Sequence, residues 1–190
     1  KIRGALTLTA PNGGEGFKIA QSHNITWTTT GTIPNVTLTY STNGGATYPN
    51  VITASVANTN TYAWVVPDVP TTTARVRVEN VTDSTVVDDS NANFSLQGNF
   101  TITSPNGGEV WTVTEIRNIM WNWGGTIPNV KLTYSTDGGA TYPLVVAASA
   151  PNGVGSSGSF SYAWTVPDSI STTVRVRIES VADPAVFATS

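Results

Sequence analysis

Apolar residues along this chain recur at every second position, not every third or fourth. Val36, Leu38 and Tyr40 fall on one side of a segment whose other side is Thr37, Thr39 and Ser41, and that alternation is the period of a half-buried strand. Ile25 with Trp27, Tyr62 with Trp64, Val76 with Val78 and Phe94 with Leu96 repeat it. Leu6–Thr9 and Tyr48–Ile52 bring the predicted strands of the first half to about seven. No segment carries helical spacing. Asn43-Gly44-Gly45 stands between two strands, where glycine supplies the positive φ of a tight hairpin, and Pro11-Asn12-Gly13-Gly14 marks a turn after the first strand.

The whole pattern occurs twice. Pro-Asn-Gly-Gly-Glu at 11–15 returns at 105–109, and Asn24-Ile25-Thr26-Trp27 returns as Asn118-Ile119-Met120-Trp121. The stretch from Gly31 to Pro49 returns almost unchanged from Gly125 to Pro143. An insertion around Gly153–Ser159 then shifts the match. Beyond it, Tyr62-Ala63-Trp64 corresponds to Tyr162-Ala163-Trp164 and Arg75-Val76-Arg77 to Arg175-Val176-Arg177. The outward Thr37 becomes Lys131, while Val130, Leu132 and Tyr134 keep the inward positions apolar. A repeat of this length exceeds a solenoid unit and matches a complete sandwich. The predicted fold is all-β: two tandem immunoglobulin/fibronectin-like β-sandwiches, residues 1–97 and 98–190, joined through Gln97-Gly98-Asn99.

Composition narrows the function. Only 11% of the 190 residues are charged, so Thr, Ser and Asn must cover the outer faces, which suits strands and turns. The net charge of −3 comes without a basic patch, the footprint a nucleic-acid binder needs. No apolar run reaches the length of a membrane span, and no signal peptide is visible. Absence of cysteine removes disulfides and thiolate sites. Few lysines, many Thr and Asn and no cysteine point to an extracellular or cell-surface location. The chain begins at Lys1 rather than Met, which reads as a processed or excised piece.

These residues carry a likeness. PNGGE followed by an aromatic, then N-I-x-W, L-T-Y-S-x-[ND]-G-G, Y-A-W-x-V-P-D and R-V-R-[VI]-E resemble tandem modules of large secreted and surface proteins of bacteria and archaea. The chain is also similar to the Ser/Thr-rich domain of fungal cell-wall proteins. The resemblance implies an extracellular immunoglobulin-like module in a structural or adhesive role, and it implies no reaction.

No constellation reads as catalytic, cofactor-binding or metal-binding, and the expectation is that the chain is not an enzyme. His23 is the sole histidine and Arg117 replaces it in the second copy, poor material for a metal site or a Ser-His-Asp arrangement. Ser135-x-Asp137-x-Gly139-x-Thr141 is similar to the Asp-box hairpin of β-propellers, a structural element. Arg75, Arg77 and Glu79, with Arg175, Arg177 and Glu179, share a strand face and read as a solvated charge ladder. Asp83, Asp88 and Asp89 read as surface carboxylates more readily than as a calcium site. Trp27, Trp64, Trp121 and Trp164 are core positions; Trp111 and Trp123 stand where the first copy has Phe17 and Thr29. N-x-[ST] sequons begin at Asn24, Asn35, Asn80, Asn93 and Asn99, candidate N-glycosylation sites.

The ends of the repeat differ. The first copy runs past Ser90 into Asn91–Leu96, and the second stops at Ser190, the counterpart of Ser90. The second sandwich is therefore expected to lack its last strand, exposing an edge and a stripe of core. At the other end, Lys1-Ile2-Arg3-Gly4 falls opposite Ser95-Leu96-Gln97-Gly98, with Ile2 in the place of Leu96. One expectation is that Lys1–Leu8 of one copy, through Ile2, Arg3, Leu6 and Leu8, completes the second module of the next. Such a donor strand repeats head to tail into a filament. The competing expectation is a piece cut from a longer array. The function read here is a structural subunit of a cell-surface assembly whose partners are copies of itself or neighbouring repeats. The alternative is a carbohydrate-binding or adhesive module meeting surface glycans.

Overall fold

Every regular element among the described residues is a strand, as the two-residue alternation predicts. The computed structural model describes residues 2–190 and divides into two units with the boundary between Gln97 and Gly98. In the first, the strands are β1 (Ala5–Ala10), β2 (Gly16–Lys18), β3 (Ser22–Thr30), β4 (Asn35–Ser41), β5 (Asn50–Ala57), β6 (Thr61–Val65), β7 (Thr71–Asn80), β8 (Asp83–Asp89) and β9 (Phe94–Gln97). They form two sheets, β1-β3-β6 and β2-β9-β7-β4-β5, with β8 also on β7. Strand β7 is long enough for two partners: Thr71 and Ala74 pair with β9, and Arg77 to Asn80 pair with β8.

The inner faces of the two sheets make one core. Leu8, Ile25 and Trp27 from the first sheet meet Val36, Leu38, Val76 and Val78 from the second, which is the construction of a β-sandwich. The second unit repeats it with β10 (Asn99–Ser104), β11 (Ile116–Gly124), β12 (Asn129–Ser135), β13 (Leu144–Pro151), β14 (Ser157–Thr165), β15 (Arg175–Ser180) and β16 (Phe187–Thr189). Its sheets are β10-β11-β14 and β13-β12-β15-β16. The register repeats as well: Leu38 pairs with Val78, and Leu132 with Ile178. Among its described residues no strand stands for β2 or β9.

A polar device inside each core escapes the alternation pattern. Trp27 Nε1 donates to Asn58 Oδ1 at 2.7 Å, and Asn58 Nδ2 donates to the Ile33 carbonyl at 2.9 Å. In the second unit Trp121 Nε1 donates to Asn152 Oδ1 at 2.8 Å, and Asn152 Nδ2 donates to the Ile127 carbonyl at 3.0 Å. Each asparagine satisfies a buried indole and a loop carbonyl together, which is what burying them requires. The insertion after Asn152 also has a structural use. It extends β14 until it pairs with β11 from Ile116 to Gly124, and it places glycines beside Trp123. A Cβ on Gly153 would lie 1.8 Å from the Trp123 ring, and one on Gly158 2.7 Å from it. Among the described residues no helix is long and apolar enough to cross a membrane.

Candidate functional site

The first unit defines the site by what fills it. In β9, Phe94 and Leu96 point inward and are 1% exposed, while Ser95 and Gln97 are half-buried on the other face. The strand runs antiparallel to β7 and parallel to β2, with Phe17 opposite Leu96 and Lys18 opposite Gln97. Around it, Gly14 N donates to the Asn93 carbonyl at 2.8 Å, Ser95 N to the Glu15 carbonyl at 2.9 Å, and Ile19 N to the Gln97 carbonyl at 2.8 Å. Phe94 lies 5.4 Å from Phe17 and meets Trp64 edge-on at 6.4 Å. The turn below is held by Glu15, whose carboxylate accepts from Asn12 N and Gly13 N, each at 2.7 Å.

The second unit builds the same surroundings without that strand. Glu109 accepts from Asn106 N at 2.7 Å and Gly107 N at 2.8 Å, and the Asn106 bond above all holds its carboxyl below the ordinary carboxylate range. Trp111 meets Trp164 at 5.9 Å, as Phe17 meets Trp64. Strand β15 begins only at Arg175, where β7 begins at Thr71, and residues 110–112 form no strand, where Gly16–Lys18 do. Between these segments lies a groove of about 660 Å³, lined by Val110, Trp111, Val113, Trp164, Ile170 and Val174 among others. Val110 is 89% exposed, Ile170 90% and Val174 40%, whereas Ala74, the counterpart of Val174, is fully buried. Gly108, Glu109 and Val113, counterparts of the residues that bond β9 through their backbone, belong to the lining.

The linkage residues read from the sequence part company here. Lys1 lies outside the described residues. Ile2 is fully exposed and Arg3 sits 3.5 Å from Asp83. Leu6 and Leu8 both belong to β1 and are 6% and 2% exposed in the first unit's own core. Leu8 N donates to Asp88 Oδ2 at 2.7 Å.

The remaining residues singled out in the sequence take structural places. Arg77 makes a bidentate pair with Asp89 at 2.7 and 2.8 Å and lies 4.0 Å over the Tyr48 ring. Arg177 and Lys131 both reach Glu179, at 3.0 and 3.1 Å. Asp88 and Asp89 are thus engaged separately, and no group of three metal-ligating side chains occurs among the described residues. Asp137 closes its hairpin on Ser135 and Thr141; the Ser135 hydroxyl first, then Thr141, hold its carboxyl far below the ordinary range. His23 stacks on Phe17 at 4.1 Å. Of the sequons, Asn24 and Asn35 are exposed, Asn93 accepts from Arg75 Nε at 2.8 Å, and Asn99 is half-buried. Asn80 is 8% exposed and its Oδ1 accepts from Thr82, so its side chain is not presented for modification.

No family model and no curated protein matches the chain. Among solved structures, fibronectin(III)-like modules of Clostridium thermocellum CbhA are similar at 14% identity, over 97% of this chain and 90% of that one, with a TM-score of 0.30. A likeness this loose bears no weight for function. The sandwich fold rests on the strand order and core described above.

Proposed function

We propose that the chain is a non-catalytic, extracellular structural subunit of a cell-surface assembly. The N-terminal segment of one copy completes the second unit of the next. One observation carries the reading: the groove in the second unit occupies the place that β9 fills in the first. A strand entering it gains backbone bonds along two walls and buries an apolar side chain against Trp111. Each such side chain contributes roughly 1.5–3 kcal/mol and each backbone bond a net ~0.5–1.5 kcal/mol. A contact between one copy's front and another's second unit is head to tail and continues without closing, which yields a filament. The extracellular setting is supported by the lysine-poor, cysteine-free, Thr- and Asn-rich composition.

The test compares the full chain with a deletion of Lys1–Gly4 by sedimentation and electron microscopy. The full chain is expected to form linear polymers and the deletion to stay monomeric. Equal polymerisation by both, or a stable monomer from the full chain, removes the donor-strand reading. The same preparations applied to glycans decide the adhesive alternative, which requires specific glycan binding by the monomer.

A further inference from the structure

An edge strand offers unpaired N–H and C=O groups to any other strand, and proteins blunt such edges with shortness, bulges, proline or charge. Among the described residues every edge but one is blunted in this way. Strands β2 and β16 have three residues each, and β6 has five. The pairings of β1 and β10 each contain a register shift, and those of β5 and β13 contain two each. Strand β13 also ends on Pro151, and β8 carries Asp83, Asp88 and Asp89. Strand β14 has none of these devices. It is the edge of its sheet, nine residues long, and it pairs with β11 from Ile116 to Gly124 without a shift. Its sequence contains no charged residue and no proline.

Hydrogen bonds at the two ends of β14 fix which residues face outward. Val166 N donates to the Glu115 carbonyl at 2.8 Å, Thr114 N to the Val166 carbonyl at 2.9 Å, and Gly125 N to the Ser156 carbonyl at 2.6 Å. Even-numbered positions therefore face β11. Alternation turns the N–H and C=O of Ser157, Ser159, Ser161, Ala163 and Thr165 to the open side. All five residues are exposed, and none is larger than threonine. We infer that β14 pairs antiparallel with β14 of a second copy about a twofold axis at Ser161, joining their two sheets into one. In this register Ser161 faces itself, Ser159 faces Ala163 and Ser157 faces Thr165, with about ten backbone bonds across the seam. On the inner face Phe160 lies opposite Tyr162, and Trp164 opposite Gly158. Phe160, 36% exposed in a single copy, thereby gains an aromatic cross-strand neighbour. A twofold contact of this kind closes at two copies. It uses neither the groove nor the N-terminal segment, so it adds a lateral contact that is independent of the head-to-tail one.

A seam of nine residues is small beside a standard interface, so pairing is expected to appear as concentration rises. Sedimentation velocity follows it in the full chain and in the Lys1–Gly4 deletion, which lacks the head-to-tail contact. Ser161→Lys and Ser161→Glu each set like charges opposite one another, whereas an equimolar mixture sets unlike charges there. Each variant alone is expected to pair about threefold to tenfold more weakly than its parent, and the mixture to recover the pairing. Ser161→Pro removes an open-side N–H while leaving the bonds to β11, and it is expected to abolish the dimer. An unchanged melting transition of the second unit verifies that this variant folds, and the charge exchange answers the question without it. A deletion chain that stays monomeric at every concentration overturns the inference, as does a mixture that pairs no better than its components. Either result leaves the head-to-tail reading standing. Dimers of the deletion that respond to the charge exchange uphold the lateral contact, whether or not the full chain forms filaments.

Discussion

Replacing Asn152 with alanine removes one side chain and leaves two buried groups without partners. The Trp121 indole N–H, on a residue that is 0% exposed, loses its acceptor at 2.8 Å, and the Ile127 carbonyl loses its donor at 3.0 Å. Each buried orphan costs about 1–3 kcal/mol, so the second unit is expected to lose roughly 2–6 kcal/mol. A unit of roughly ninety residues has a total stability of about 5–14 kcal/mol at 0.05–0.15 kcal/mol per residue. The loss is therefore a large fraction of what holds it folded. At ~4–8 °C per kcal/mol the second unit's melting transition should fall by at least about 8 °C, with the first unit's transition unmoved. Calorimetry on the full chain resolves the two, and Asn58→Ala assigns them by lowering the other. A Trp121→Phe change made in the Asn152→Ala background should cost less than in the parent, because the bond is already gone. Should Asn152→Ala stay within about 0.5 kcal/mol of the parent, the indole–amide bond is not the feature that fixes Trp121, and the reasoning fails.

Gly153→Ala should destabilise the second unit by about 1–3 kcal/mol, because its Cβ would lie 1.8 Å from the Trp123 ring; denaturant unfolding checks this, and Trp123→Thr should relieve it. Tyr48 is pushed up to about 12, first by burial and then by the Asp89 charge, so the folded first unit holds a proton that the unfolded chain releases near the ordinary tyrosine value of 10.0. Stability of that unit should fall as pH rises from 10 toward 12, and Tyr48→Phe should flatten the slope in unfolding curves taken across that window. In a host that glycosylates N-x-[ST] sequons, mass spectrometry of the folded product should find glycan on Asn24 or Asn35, whose side chains are exposed, and none on Asn80.

Alternation made most of the sandwich readable because each strand has one wet and one dry face. Val36, Leu38, Val76 and Val78 were legible for that reason, and all are fully buried. Strand β2 was not, since Gly16-Phe17-Lys18 is too short to show a period. Strand β8 hides because only Val86 of its adjacent valines turns inward. Tyr48 was read as the start of a strand, yet β5 begins at Asn50 and the Tyr48 ring lies under Arg77 instead. The Trp–Asn pairs were invisible because Asn58 and Asn152 sit just past the ends of β5 and β13, and a polar residue there predicts solvent. A signal did exist, in that both asparagines keep the same place relative to Trp27 and Trp121. Leu6 and Leu8 carried two meanings, linkage and first strand. Their own alternation matched the second, and both are buried in the first unit's core.

The groove itself was legible only by comparing the two copies. An apolar cleft facing water gains nothing from larger apolar residues, and polar replacements would make it more soluble. Its lining changes in both directions, since Val69 and Ile19 of the first unit become Ser169 and Val113. Where the first unit has Phe17, Pro70 and Ala74, the second has Trp111, Ile170 and Val174, and Ile170 and Val174 stand 90% and 40% exposed. The turn held by Glu109 and the Trp111–Trp164 contact keep the mouth shaped as it is around β9. Meanwhile the one lysine that contacts β9 in the first unit has become Thr112. Larger apolar side chains at three positions, with a smaller or polar one at two others, give the groove a different shape from the place β9 fills.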